Sequence, residues 1–319
     1  MKGIRSGVAA RIRKDVPQAL PVHCIAHCLN LCLQDAGKQI NLLRDAIQLV
    51  REIVQLINCS PKRKHLFSQY RLAESAILAE NDRPSGGLKP LCPTRWTVRA
   101  AAMEAVIKQY SVIMETLEDV HLHTRDEYGL KAGGLLAALE KFETFFSLKL
   151  GCLLFGCSEN TSKVLQAKDI TMQEAVAAIT VTQTFYKRQR EDEAFNTFFD
   201  RVEQDARSLN IGLPVLPRYR KPPKRFDGDT QHEFRQPREY FRQKYFEACD
   251  ILIGELSDRF EQEDVMKPVL CMESILLKSA CGEESGKTTG YTCRCDSCGA
   301  TRCKTGHEHS HNMHGNGSS

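Results

Sequence analysis

The chain runs to 319 residues, 42% hydrophobic and 26% charged, a composition that excludes a collagen-like repeat and a chain disordered throughout. No apolar run approaches the ~18 residues that a membrane helix needs, and the opening Met1–Gly7 has no apolar signal core, so the expectation is a non-secreted protein without a membrane span. Lysine and arginine exceed aspartate and glutamate by 44 to 40. At so mild a net charge, local basic clusters decide whether nucleic acid is bound.

In chain order, Lys2 to Lys14 reads as a helix, with Ile4, Val8 and Ile12 four apart and basic residues on the other side. Asp15-Val16-Pro17 ends it, because the residue before proline is pushed out of the helical region. Leu20 to Ile25 reads as a short strand, and Ala26 to Ala36 as a helix stopped by Gly37. Leu42, Ala46, Leu49, Val50, Ile53, Leu56 and Ile57 form one apolar helical stripe. Pro61 opens a further helix through Phe67, Leu72, Ile77 and Leu78. Residues 81–94 are crowded with breakers and read as a loop.

Helical spacing then returns. A long helix is expected from Arg95 to about Leu122, and a buried helix pair from Tyr128 to Phe155, kinked at Gly133-Gly134 and Gly151. Another helical stretch spans Thr171 to Leu209, with Thr171 and Glu174 spaced as a capping box. Residues 210–237 form a proline-rich basic loop, Arg238 to Glu263 an amphipathic helix, and Met266 to Ala280 a shorter segment. From Cys281 the chain is Gly-, Ser-, Cys- and His-rich with few apolar residues, so burial cannot offset its ordering entropy and disorder is expected.

Three clusters carry chemistry. Cys24 and His27 sit three apart, a spacing that lets both face one metal ion, yet a tetrahedral site needs four ligands and no second pair lies nearby. Cys24, Cys28 and Cys32 recur every four residues, which reads as small hydrophobes on a helix face. Arg218, Arg220, Lys221, Lys224 and Arg225 place five positive charges in eight residues, a phosphate-binding or nuclear-import strip or else a solvated tether. Lys62-Arg63-Lys64 and Lys187-Arg188-Gln189-Arg190 are smaller basic clusters. In the tail, Cys293, Cys295, Cys298 and Cys303 precede four histidines and can hold Zn²⁺ or Cu(I) as thiolates, although the spacing fits no known zinc module. There is no phosphate loop, nucleophile elbow or dinucleotide fingerprint.

Two strings, His23-Cys24-Ile25-Ala26-His27-Cys28-Leu29-Asn30-Leu31 and Leu91-Cys92-Pro93-Thr94-Arg95-Trp96, resemble the hAT transposase superfamily. Within it they are most similar to the group described as zinc finger MYM-type protein 1-like. The resemblance implies that Cys24 and His27 belong to a ribonuclease H-like domain. Arg95-Trp96 would then mark the point where a long helical insertion interrupts that domain, with Trp96 able to stack on a base and Arg95 to meet phosphate, or else with the Trp96 ring packed at the root of the long helix against Val98 or Met103 and Arg95 in an ion pair. It also implies three metal-binding acids in the active family. The first two are expected upstream of Met1, and no match to the segment of the third is found. Asp15, Asp35 and Asp45 are read as solvated helix charges.

The expected fold class is therefore mainly α: an incomplete ribonuclease H-like α/β remnant over 1–90, a helical insertion domain over 91–280, and a Cys/His-rich disordered tail over 281–319. The expected function is a truncated, catalytically inactive transposase-derived protein that binds DNA or a protein partner, through Arg95, Trp96, Arg218, Arg220, Lys221, Lys224 and Arg225, in the nucleus. No cofactor, membrane or small-molecule substrate is expected. The alternatives are a metal-dependent transposase whose catalytic acids lie outside this chain, a helical interaction scaffold or homo-oligomer, and a cytoplasmic location.

Overall fold

A computed structural model describes residues 7–19, 24–77, 87–91, 99–217, 234–260 and 274–275. Among them are eleven helices and no strand, so the fold is mainly α. The strand expected over Leu20–Ile25 falls largely outside the described residues, and Ile25 itself opens a helix. Residues 1–275 form one compact unit. The tail from Cys281, with Cys293, Cys295, Cys298 and Cys303, lies outside the described residues, as does most of the segment Met266–Ala280.

The first helix, α1 (Val8–Asp15), stops where proline dictates: Val16 N–H donates to Ile12 O at 2.7 Å and the chain turns at Pro17. Its apolar residues stay largely exposed, Val8 at 57% and Ile12 at 50%. Helix α2 (Ile25–Gln39) runs through Gly37, contrary to the stop expected there, and Gly37 is buried. A helical glycine costs only about 1 kcal/mol relative to alanine, so it does not end a helix that tertiary packing holds. The break falls at Ile40, whose extended backbone (φ −83°, ψ 102°) turns the chain into α3 (Asn41–Asn58) while its side chain stays buried. In α3 Ala46, Val50, Ile53, Leu56 and Ile57 of the expected stripe are buried, Leu42 and Leu49 lie at its margin, and Leu43, outside the stripe as read, is buried too. Helix α4 (Pro61–Ile77) starts on its proline, where the missing N–H costs nothing. Phe67 is buried, and Leu72, expected to face inward, is 67% exposed.

The long helix expected from Arg95 to Leu122 is two: α5 (Arg99–Lys108) and α6 (Tyr110–His123), parted at Gln109 (φ −118°, ψ 27°). The break swings Tyr110 inward, and its hydroxyl donates to Leu139 O at 2.6 Å. Helix α7 (Glu127–Leu139) is capped by Asp126, which accepts from Tyr128 N–H at 2.8 Å and Gly129 N–H at 3.1 Å. Helix α8 (Phe142–Leu165) is the central strut, with Phe145, Phe146, Leu148, Leu150, Leu154 and Phe155 fully buried. Of the three glycines expected to kink this region, Gly133 and Gly151 mark close approaches, and Gly134 has open space beside it. A Cβ on Gly133 would meet His121 Nδ1 at 2.6 Å, and one on Gly151 would meet Met103 Sδ at 2.3 Å.

The capping box forms: Glu174 N–H donates to Thr171 Oγ1 at 3.2 Å and Thr171 N–H to Glu174 Oε2 at 2.8 Å, opening α9 (Met172–Gln189). Helices α10 (Asp192–Ser208) and α11 (Pro237–Phe260) complete the bundle. An aromatic cluster joins α8, α10 and α11, with ring centroids 4.7 Å apart for Phe146–Phe241 and 5.7 Å for Phe142–Phe199. The early helices share this core: Cys32 Sγ donates to Glu255 O at 3.3 Å, and Arg259 pairs with Asp35 at 2.6 Å.

Candidate nucleic-acid interface

Most residues singled out by sequence for nucleic-acid contact, namely Arg95, Trp96, Arg218, Arg220, Lys221, Lys224 and Arg225, lie outside the described residues. Cys24 and His27 lie at the start of α2, Cys24 at its N-cap, and both are exposed. The three cysteines grade from surface to core: Cys24 exposed, Cys28 half-buried, Cys32 buried. Burial pushes the Cys32 thiol up to about 12, which leaves it protonated and unreactive. Among the described residues no group of three or more His, Cys, Asp or Glu is placed to hold a metal ion.

Arginines of the two smaller basic clusters are engaged in packing. Arg63 Nε donates to Leu56 O at 2.6 Å, and its guanidinium lies 4.5 Å over the Tyr128 ring. Arg190 pairs with Asp250 at 2.7 Å and stacks 4.1 Å over Phe246.

A basic groove forms where sequence gave no motif. Lys38 near the end of α2, Arg44 and Arg51 on α3, and Arg99 at the start of α5 line a cavity of about 410 Å³ together with Asp45. Four cations face one carboxylate there. A groove of about 420 Å³ between α3, α8 and α11 has Lys141 and Lys244 against Asp45, Glu143 and Glu247. A third, of about 920 Å³ along α11, has Arg190, Arg235 and Arg242 against Glu239, Glu247 and Asp250. Of the three, the α2–α3–α5 groove alone carries a clear positive excess, the field that concentrates a polyanion.

The local bonds suit exchange for phosphate. Lys38 reaches Asp35 at 3.3 Å and Arg44 reaches Asp45 at 3.1 Å, both on exposed side chains. Exposed pairs of this kind contribute about 0–1 kcal/mol, less than a charge-assisted bond to phosphate. Arg51 Nη1 donates to Gln48 Oε1 at 3.3 Å. Arg99 is 5% exposed, and its guanidinium is pushed down to about 9, chiefly by burial and then by the Arg51 charge. An anion between Arg51 and Arg99 relieves that repulsion. Arg99 is positioned from behind: Glu159 on α8 accepts from Ala100 N–H at 2.7 Å, so a buried carboxylate caps the first turn of α5. Burial raises the Glu159 carboxyl, and the N–H groups of Ala100, Arg99 and Ala101 oppose that rise.

Sequence reasoning missed Lys38, Arg44, Arg51 and Arg99. Arg44 and Arg51 are seven apart on α3, two turns and therefore one face, which was a readable signal. Lys38 lies across the break at Ile40 and Arg99 arrives on another helix, so only the packed bundle brings them in.

The described residues thus form a mainly helical unit with a basic groove at the junction of α2, α3 and α5. Residues 22–129, about a third of the chain, match the family described as the ZBED1 RNase-like helical domain. The match covers α2 to α6, and with them every cation of the groove. It supports a hAT-derived origin. No solved structure matches the chain.

Proposed function

We propose that this helical unit, of hAT-transposase descent, binds the phosphate backbone of DNA at the α2–α3–α5 groove and performs no strand cleavage itself. The observation that carries the proposal is that Lys38, Arg44, Arg51 and Arg99 line one groove whose lining holds a single carboxylate, Asp45. In chain order Arg99 follows Arg95-Trp96 by only a few residues, so that motif extends the same contact surface, as a base-stacking ring beside a phosphate clamp. The basic run Arg218–Arg225 is a second phosphate strip and a nuclear-import signal, which gives the protein a nuclear location. Within the hAT-derived proteins the chain groups with the zinc finger MYM-type protein 1-like set, on the strings His23–Leu31 and Leu91–Trp96.

The non-catalytic half of the proposal is supported by where the acids go. Asp35 is tied to Arg259 and Lys38, Asp45 to Arg44, and Glu159 to the α5 backbone. These carboxylates serve as ion-pair and capping partners.

The test is duplex binding against salt. Each neutralised phosphate contributes about 0.9 to the slope of log K on log salt. Four contacts give a slope of about −3.6, or roughly a 100-fold loss of affinity between 50 and 200 mM salt. Replacing Lys38, Arg44 and Arg51 together by Gln removes about 2.7 from that slope if each meets a phosphate. An unchanged slope in the triple variant refutes the groove, and no binding at low salt leaves the helical interaction scaffold.

A further inference from the structure

Helix α10 ends in a turn that aims the following chain outward. Asn210 has φ 55°, the left-handed region that Asn tolerates better than most residues. Asn210 N–H donates to Arg207 O at 3.1 Å and Ile211 N–H to Ala206 O at 2.9 Å, the paired bonds of a Schellman ending. Ile211 is 6% exposed and Gly212 N–H donates to Glu140 O at 3.2 Å, at the turn between α7 and α8. The chain is thus pinned at two successive residues before it leaves the bundle.

What it presents is Leu213-Pro214-Val215-Leu216-Pro217. Each proline fixes its own φ near −65° and has no N–H to give a sheet. Each also biases the leucine before it toward extended backbone. Four of the five residues are therefore restricted to the polyproline II region, whose period of three superimposes the two Leu-Pro pairs on one face. The segment belongs to no helix or strand, and no backbone hydrogen bond to another described residue holds it. Leu213 is 63% and Val215 72% exposed and Pro217 is exposed, while Pro214 and Leu216 are half-buried. In sequence the basic run beginning at Arg218 follows at once.

We propose that Leu213–Pro217 is a docking ligand for an SH3-type domain. Such a domain offers a groove with two aromatic-walled pockets, each of which takes one hydrophobe–proline pair, and an acidic rim beside them. The period of the Leu-Pro pairs matches the pockets, and the basic charge that follows in the chain matches the rim. The Schellman ending and the Gly212 anchor fix where the ligand starts and the prolines bias it toward the extended bound form, which lowers the ordering cost of binding. This surface uses none of the groove residues, and its rim contact draws on the basic run from Arg218 that is also proposed as a second phosphate strip.

The experiment titrates the full chain against a panel of purified SH3 domains by calorimetry, with the Pro214→Ala/Pro217→Ala double variant and a Val215→Ser variant beside it. Val215 lies between the pairs and faces away from the pockets. The expected result is micromolar binding by at least one domain, weakened about tenfold or more in the double variant and changed less than about twofold in Val215→Ser. All these positions lie outside the helices, so an unchanged denaturation midpoint verifies the fold of each variant. Absence of binding across the panel, or binding that the double variant retains in full, overturns the proposal.

Discussion

Gly151→Ala perturbs the α5–α8 contact that positions Arg99. Two opposed effects set the outcome. Gly151 lies inside α8, where alanine is favoured by about 1 kcal/mol. A Cβ there would stand 2.3 Å from Met103 Sδ, 3.0 Å from Met103 Cε and 3.6 Å from Leu43 Cδ2. Met103 is itself fully buried, so its thioether end must shift within the core or α5 must move. Overpacking of this kind costs about 1–3 kcal/mol, which set against the propensity gain predicts a net loss of about 0–2 kcal/mol. Gly156→Ala, on the same helix with nothing within 4 Å of the added methyl, is the control and is expected to be stabilising. Urea denaturation of the two variants gives the comparison. In a Met103→Ala background the overlap is gone, so Gly151→Ala becomes favourable there. A Gly151→Ala protein as stabilised as Gly156→Ala would refute the close approach and, with it, the placement of α5 against α8.

Three other outcomes follow from buried groups. The Tyr186 hydroxyl donates to Leu154 O at 2.7 Å and is bonded to Ser158 Oγ, so Tyr186→Phe leaves buried polar atoms short of a partner; a loss of about 1–3 kcal/mol in urea denaturation is expected. The native Glu159 carboxyl is raised above its ordinary 4.5, so the folded state takes up that proton at higher pH than the unfolded chain. This contribution increases stability as pH falls from above the native value toward 4.5. Glu159→Gln lacks it, and the difference between the two stability–pH curves should show the gain over that interval alone. Burial pushes the thiols of Cys32, Cys152 and Cys249 up to about 12, whereas Cys24 and Cys59 are exposed. Mass spectrometry after brief treatment with iodoacetamide should find Cys24 and Cys59 labelled well before those three.

The legible parts of the fold were those set locally. The α3 stripe, the Pro61 start, the stop at Val16-Pro17 and the Thr171–Glu174 capping box each depend on residues a few positions apart, and each stands in the structure. The misread parts were set at long range. No breaker marks Gln109; the chain parts there because Tyr110 finds a buried place and a carbonyl on α7. Gly37 looks like a stop, yet α2 continues until Ile40 finds the core. Val8 and Ile12 have the spacing of a buried face and remain exposed, because periodicity reports a possible face and not a partner for it. The same division holds at the site. Arg95-Trp96 and the basic run could be seen as strings, but the groove is assembled from three helices, and its buried Arg99 depends on a carboxylate 60 positions further on.

Residue-level protection tests the central claim most directly. The full chain is treated with an arginine- and lysine-modifying reagent, with and without a 20-base-pair duplex at low salt, and each site is read by mass spectrometry. The account predicts that DNA protects Lys38, Arg44 and Arg51, while the exposed Lys108, Arg125 and Arg207 react equally in both states. Protection of the second set, or equal modification of Lys38, Arg44 and Arg51 with DNA bound, would contradict it.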